Sequence, residues 1–264
     1  MTKEQYRGGA PKKVKKKKKT AAIVFTSLVL ILIAVFCVLS LTVFFKIEKI
    51  EIKGSTNYTD DEIIDVLNVK TGDNLIRVST DDISEKLQYD LPFISSVKID
   101  RKFPSTLKIT VTETEESIYI TNGKKGSSCD KNGKILKTYH GAASEELIPF
   151  TVSNTAQIEP GHKIVFKNNR EEELFYLFAD FMKSGKFKVN FVNISDPFDS
   201  YVKIEDRIIV KFGSSSYFEE KLSYLISGYP KLSENSSGIF DLSAWTPKTN
   251  TPRFRPQSID EYQN

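Results

Sequence analysis

The side chains that could perform nucleophilic or metal chemistry are few and irregularly spaced. The chain has two cysteines and two histidines, and Cys129, His140 and His162 are the ones outside the apolar N-terminal segment. A cysteine paired with a histidine could act as an activated nucleophile, but residues 127–130 read more simply as a hairpin turn. The spacing of the three does not match a zinc site. We therefore expect no catalytic residue, no metal and no cofactor.

Three acidic clusters could supply the paired carboxylates of a glycosidase. They are Asp60-Asp61-Glu62, Glu113/Glu115/Glu116 and Glu171-Glu172-Glu173. The first and third begin predicted helices, where carboxylates favour the N-terminal end of the dipole, and the second alternates outward along a strand end. We interpret all three as solvated faces. The sequence contains neither glycine-rich phosphate-binding motif, so nucleotide binding has no support, and no small-molecule substrate is expected.

The N-terminal 45 residues carry the strongest signal. Residues 1–19 hold nine basic side chains and one acid, and residues 20–45 contain no charge. About 20 apolar residues span a bilayer, so residues 20–45 predict a transmembrane helix. Basic residues beside a transmembrane span stay in the cytoplasm. We therefore expect the membrane topology to be set by Lys15, Lys16, Lys17, Lys18 and Lys19. A cleaved signal peptide is the alternative, but the bulky Phe44 and Phe45 favour an uncleaved anchor.

The net charge of +4 comes from this basic tail. Residues 46–264 carry 29 basic and 33 acidic side chains, so the basic character favours contact with lipid headgroups over nucleic acid. Cys37 lies in the apolar segment and cannot pair with Cys129. An exported part of this size without disulfides fits a bacterial cell surface, with the bulk of the chain outside the cell membrane.

Residues 46–115 predict a small α+β domain. Alternating isoleucines indicate a first strand, Thr59 and Glu62 form a capping box that begins a helix, and Pro92 ends a second helix. The predicted elements are a strand in the segment 46–54, helices from 59 and from 79, and strands at 97–101 and 107–112.

This β-α-α-β-β unit beside an anchor resembles a POTRA domain, and its setting resembles the FtsQ/DivIB family of bacterial cell-division proteins. The motifs that carry the resemblance are Ile50-Glu51-Ile52-Lys53-Gly54, Gly72-Asp73-Asn74-Leu75 and Arg101-Lys102-Phe103-Pro104-Ser105-Thr106-Leu107.

Residues 116–245 predict a mainly antiparallel β domain with two helices. Strands are expected near 117–120, 135–137, 201–204, 208–212 and 239–242, helices near 171–183 and 217–227, and loops near 146–149 and 159–161. Asp130-Lys131-Asn132-Gly133 and Gly238-Ile239-Phe240-Asp241-Leu242 continue the resemblance, although Phe240 interrupts the family's usual spacing. Residues 246–264 are polar and proline-rich, which predicts a disordered tail.

The resemblance implies a non-catalytic, single-pass scaffold of the bacterial divisome, enriched at the division septum. Its implied partners are FtsL-like and FtsB/DivIC-like bitopic proteins and, indirectly, the septal wall synthase. The final strand could dock a partner by strand addition, with contributions from Phe240, Asp241, Leu242 and Trp245. The structural alternative is that Phe240 and Leu242 fill the core.

Two other functions remain open from the sequence. A membrane-anchored cell-wall hydrolase would need convergent acids or a nucleophile in a cleft. A POTRA-bearing export or adhesion factor would be distributed uniformly over the cell.

Overall fold

A computed structural model gives the fold and describes residues 15–121, 126–140, 144, 146–153, 157–249 and 252–262. The chain forms two compact units. The smaller contains residues up to 51 together with 69–78 and 100–108, and the larger contains residues 52–68, 79–99 and 109–264. The domain boundary predicted near residue 115 falls inside the larger unit.

A long helix, α1, covers Lys15–Phe44. Consecutive apolar side chains along it are exposed, including Ile23 at 67% and Phe25 at 67%. Within the residues that the structure describes, no helix combines the length and apolar character needed to cross a membrane. Of the predicted basic tail, residues 1–14 lie outside the described residues, and the backbone of Lys15–Lys19 forms the start of α1.

The predicted β-α-α-β-β order is confirmed. Its elements are β1 Lys49–Lys53, α2 Asp60–Val66, α3 Thr80–Asp90, β2 Ile94–Lys102 and β3 Thr106–Glu113, with the strands in the order β1-β3-β2. Thr59 caps α2 through the predicted box, in which its hydroxyl accepts from the Glu62 backbone N–H and its own N–H donates to the Glu62 carboxylate at 2.8 Å. Ile83 and Leu87 of α3 are buried four residues apart, as the helical spacing requires.

A large mixed sheet forms the second part of the chain. Its elements in sequence are β4 Ile118–Thr121, β5 Gly126–Cys129, β6 Ile135–Tyr139, β7 Ile148–Thr151, α4 Asn169–Lys183, β8 Val189–Asn193, β9 Ser200–Ile204, β10 Ile208–Gly213, α5 Phe218–Gly228, β11 Gly238–Asp241 and β12 Arg253–Pro256. The strand order is β12-β11-β10-β9-β8-β7-β4-β5-β6. Most neighbours are antiparallel, while β7 pairs parallel with β4 and β8, and β10 with β11.

The main core lies where α4 and α5 pack on this sheet. The apolar stripe predicted for α4 is buried, and Phe178 contacts the rings of Phe212 and Phe218 at centroid distances of 5.3 and 5.2 Å. Lys221 of α5 is also buried, and its ammonium donates to the carbonyl oxygens of Phe212 and Ser214 at 2.7 and 3.0 Å. This buried cation therefore satisfies the backbone where β10 ends.

Three short strands were not predicted correctly. Residues 126–129 form β5 where a turn was expected, residues 148–151 form β7 where a loop was expected, and β8 was not predicted. Pro149 argues against a central strand because it lacks a backbone donor. Here β7 nevertheless lies between β4 and β8, two partners from distant parts of the sequence.

The prediction of disorder does not hold for the C-terminal residues that the structure describes. Arg253–Pro256 form β12, which pairs antiparallel with β11. Phe254 packs against the main core, and Ile259 is buried with Ile209 and Ile239 on the other face of the sheet. These apolar contacts order a segment whose composition is otherwise typical of a tail.

Candidate functional site

The edge of the large sheet is the candidate site. Within the described residues, the sheet ends at β12 on one side and at β6 on the other. The strand that carries Phe240 is not an edge, because Phe240 lies opposite Val210 in β10 and opposite Phe254 in β12. Docking by strand addition therefore has to use β12 on this side of the sheet.

Two of the predicted docking residues lie in the core. Leu242 is fully buried and Phe240 is 6% exposed, and both belong to the main apolar cluster. The structural alternative therefore describes their positions. Asp241 is half-buried, and its carboxylate lies 3.6 Å from the guanidinium of Arg255.

Trp245 lies beside the edge strand. It is 8% exposed and packs against the rings of Tyr217 and Tyr224 at centroid distances of 5.7 and 5.5 Å. A cavity of about 290 Å³ opens next to it, lined by Asp241, Ala244, Trp245, Thr249, Arg253 and Arg255. Two of the four predicted residues, Asp241 and Trp245, are thus brought together at one site.

The sequence analysis missed the residues that form the edge itself. Arg253 and Arg255 are exposed, whereas Phe254 between them is half-buried. This alternation of charged and apolar residues has the period of a strand, and it is a signal that the proline-rich composition concealed. The edge consequently presents two arginines next to a cavity whose lining is mostly polar but includes the ring of Trp245.

The residues after β12 hold it in place from the second face of the sheet. Ile259 packs with Ile209 and Ile239, and the ring of Tyr262 contacts that of Tyr201 at 5.1 Å. The ammonium of Lys211 lies 5.5 Å from the centre of the Tyr262 ring. We call residues 257–262 the C-terminal strap.

The candidate nucleophile lacks the properties of one. Cys129 is fully buried, and that burial, reinforced by the Asp130 carboxylate, raises the pKa of its thiol well above its usual range. A reactive cysteine needs an accessible thiolate of low pKa. His140 is exposed, and His162 packs edge-on against Tyr89 at 4.4 Å. Among the described residues, no group of three or more His, Cys, Asp or Glu side chains is placed to hold a metal.

The interpretation of every acidic cluster as a solvated face is wrong for three carboxylates. Glu116 is half-buried and accepts from the hydroxyls of Ser128 and Tyr139. Glu171 is 1% exposed and accepts from the backbone N–H and hydroxyl of Ser153 at 2.5 and 2.7 Å. Glu113 accepts from five donor groups of Ser55, Thr56 and Asn57 at 2.7 to 3.1 Å. Partial burial opposes ionisation of Glu113, but these hydrogen bonds outweigh it and lower the pKa to about 2. The carboxylates of Glu113 and Glu171 are held by these hydrogen bonds, so neither is free to act as the acid or base of a hydrolase.

The Asp130 motif shapes a turn and connects it to α3. Asp130 accepts from the backbone N–H groups of Asn132 and Lys134 at 2.8 and 2.9 Å. The Lys134 ammonium donates to the carbonyl oxygens of Gln88 and Ile94 at 2.7 and 2.6 Å. Burial lowers the pKa of Lys134 to about 8, against the opposing effect of Asp130. The motif therefore has a structural role.

Two comparisons with known proteins show what the chain is similar to. Residues 45–114 match the POTRA domain, FtsQ-type. The chain is 29% identical over 220 residues to the cell division protein DivIB of Clostridium botulinum (strain Loch Maree / Type A3), covering 82% of this chain and 86% of that protein. It is also 29% identical over 111 residues to the cell division protein FtsQ of Corynebacterium glutamicum, covering 42% of this chain and 50% of that protein.

A third relative, the cell division protein DivIB of Staphylococcus aureus (strain MRSA252), is 26% identical over 197 residues, covering 73% of this chain and 41% of that protein. The chain is therefore similar over most of its length to cell division proteins named DivIB and FtsQ, and residues 45–114 match the FtsQ-type POTRA domain.

Proposed function

We propose that the chain is a non-catalytic scaffold of the bacterial divisome, held at the cell membrane by α1 and bound to other division proteins outside it. The observation that carries the proposal is the edge strand β12, where Arg253 and Arg255 are exposed beside the cavity that contains Trp245. An exposed edge is a template for a strand from another chain. Relatives named as cell division proteins support the same process.

The membrane anchor in this proposal rests on residues 20–45. They carry no charge, and the apolar side chains that the structure describes there are exposed around α1, so they need an apolar environment. The lysines at 15–19 would keep the N-terminus in the cytoplasm. Residues 46–264 would then lie outside, next to the membrane.

The docking mode follows from the charge and geometry of β12. A partner strand would extend the sheet through backbone hydrogen bonds, while Arg253 and Arg255 would favour acidic side chains on that strand. Asp241 and Trp245 would contribute from the lining of the cavity, and Phe240 and Leu242 would act by supporting the strand. The proposed partners are FtsL-like and FtsB/DivIC-like bitopic proteins and, through them, the septal wall synthase.

Reversing both charges of the edge tests this docking mode. We expect the double substitution Arg253→Glu and Arg255→Glu to weaken binding of the full chain to the co-reconstituted partners by about tenfold, because like charges would then face each other across the strands. The affinity can be measured by titrating labelled partner in detergent.

The matched control reverses two exposed lysines away from the edge, Lys167→Glu and Lys186→Glu, and leaves the net charge change the same. Equal weakening by both double variants would show that net charge, and not the edge, governs binding.

A fluorescent fusion separates a divisome scaffold from an export or adhesion factor. We expect the full chain fused at its N-terminus to concentrate at mid-cell during division. Uniform fluorescence around the cell, at normal expression and stability, would contradict the divisome role.

A further inference from the structure

Three large apolar side chains are exposed close to the C-terminal end of α1. Phe44, the last residue of the helix, is 70% exposed, Phe103 is 62% exposed and Ile76 is 44% exposed. Phe103 lies in the turn between β2 and β3, and Ile76 lies in the loop before α3. Their exposure leaves apolar surface that no other part of the described chain covers.

A ring contact and backbone hydrogen bonds hold both loops against the residues that follow α1. The ring of Phe103 contacts that of Phe45 edge-on at 5.4 Å. The Leu75 N–H donates to the Phe45 carbonyl at 2.7 Å, and Ile76 directly follows Leu75. On the other side, the Glu48 N–H donates to the Ser105 carbonyl at 2.9 Å. The exposed side chains are therefore positioned around the point where the chain leaves the helix.

Each exposed apolar residue has an exposed basic residue within two positions in the sequence. Arg77 follows Ile76, Lys102 precedes Phe103, and Lys46 lies two residues after Phe44. Apolar and aromatic side chains flanked by lysine or arginine are typical of the membrane–water interface, where the apolar part enters the lipid and the charge stays with the headgroups.

We infer that Phe44, Ile76 and Phe103 form a second membrane contact, in which the two loops rest in the headgroup region of an anionic bilayer. We call these three residues the membrane-facing patch. Val43 and Phe44, the last two residues of α1, are both exposed, so the patch begins at the end of the helix. The basic residues around the patch complement anionic headgroups. The inference rests on the proposed anchoring by α1. Its consequence is that the first domain is held against the lipid surface at two further points instead of swinging on a single tether.

A tryptophan placed at position 103 reports whether the patch enters the lipid. The full chain with Phe103→Trp would be reconstituted into vesicles of phosphatidylcholine and phosphatidylglycerol, some containing brominated lipid as a quencher. The single tryptophan of the unmodified chain is Trp245. We expect brominated lipid to quench the tryptophan fluorescence of the Phe103→Trp variant more than that of the unmodified chain. The quenching should also be at least about twofold greater than in the matched variant Phe198→Trp. Phe198 is a suitable control because it is 60% exposed and distant in sequence from the patch.

Vesicle flotation separates failure of the inference from failure of the anchor. If the chain floats with the vesicles and the Phe103→Trp variant is quenched no more than the Phe198→Trp variant, the membrane-facing patch is refuted and the anchor stands. If the chain does not float, both are overturned.

The basic residues are tested by adding Arg77→Gln and Lys102→Gln to the Phe103→Trp variant. The resulting chain should still float with the vesicles. Its tryptophan fluorescence should be quenched equally in vesicles with and without phosphatidylglycerol, because the attraction to anionic headgroups is removed. Unchanged quenching would refute the role of the basic residues.

Discussion

Replacing Phe178 with alanine is expected to lower the free energy of unfolding by about 3–5 kcal/mol. Phe178 is fully buried in α4, and its ring makes edge contacts with Phe212 and Phe218. The substitution removes these contacts and leaves a cavity at the centre of the main core. A loss of this size is a large fraction of the stability of an ordinary domain. Urea unfolding of the chain in detergent, followed by the fluorescence of Trp245, measures it.

An exposed phenylalanine supplies the control. Phe198→Ala removes a side chain that is 60% exposed and whose ring centre lies 5.0 Å from the guanidinium of Arg170. The free energy of unfolding should therefore fall by only about 0.5 kcal/mol. Similar costs for the two variants would mean that the core is not packed around Phe178 as described.

Replacing Glu113 with glutamine is expected to cost about 2 kcal/mol at about pH 7 and almost nothing in strong acid. Five donor groups hold the carboxylate, and its pKa in the folded chain is about 2 against an ordinary 4.5. Because the folded pKa lies below the unfolded one, the stabilisation is complete above pH 4.5 and is lost as the pH falls through about 2. The group is partly exposed, so solvent screening reduces the full value of the shift.

The difference in unfolding free energy between the original chain and Glu113→Gln, followed by circular dichroism over this pH range, tests the assignment. Glu115→Gln is the matched control, since Glu115 is exposed two residues along the chain, and its effect should be small at every pH. A Glu113 effect that is constant between about pH 2 and 7 would show that the carboxylate charge is not what holds the loop.

The β-α-α-β-β unit was predictable because its signals are local. The capping box at Thr59 and Glu62, the four-residue spacing of Ile83 and Leu87, and the motif around Phe103 all act over a few residues. Each of these patterns specifies its own element without help from distant parts of the chain. What they did not reveal was the role of Glu113, whose partners Ser55, Thr56 and Asn57 lie more than 50 residues away.

The large sheet was predicted less well because long-range pairing decides its strands. The strand β7 contains Pro149 and has strand character through its parallel partners β4 and β8. In the same way, β12 is a strand because it pairs with β11 and because Phe254 packs against the main core. Of the four predicted docking residues, Phe240 and Leu242 lie in the core, whereas Asp241 and Trp245 line the cavity at the edge of the sheet.

The C-terminal strap also sets an order of events during synthesis. The strand β12 pairs with β11, and Ile259 and Tyr262 secure it by packing on the second face of the sheet. Since these contacts come from residues 253–262, β12 can pair only after strands β1 to β11 have left the ribosome. The β12 edge is therefore among the last parts of the described chain to form.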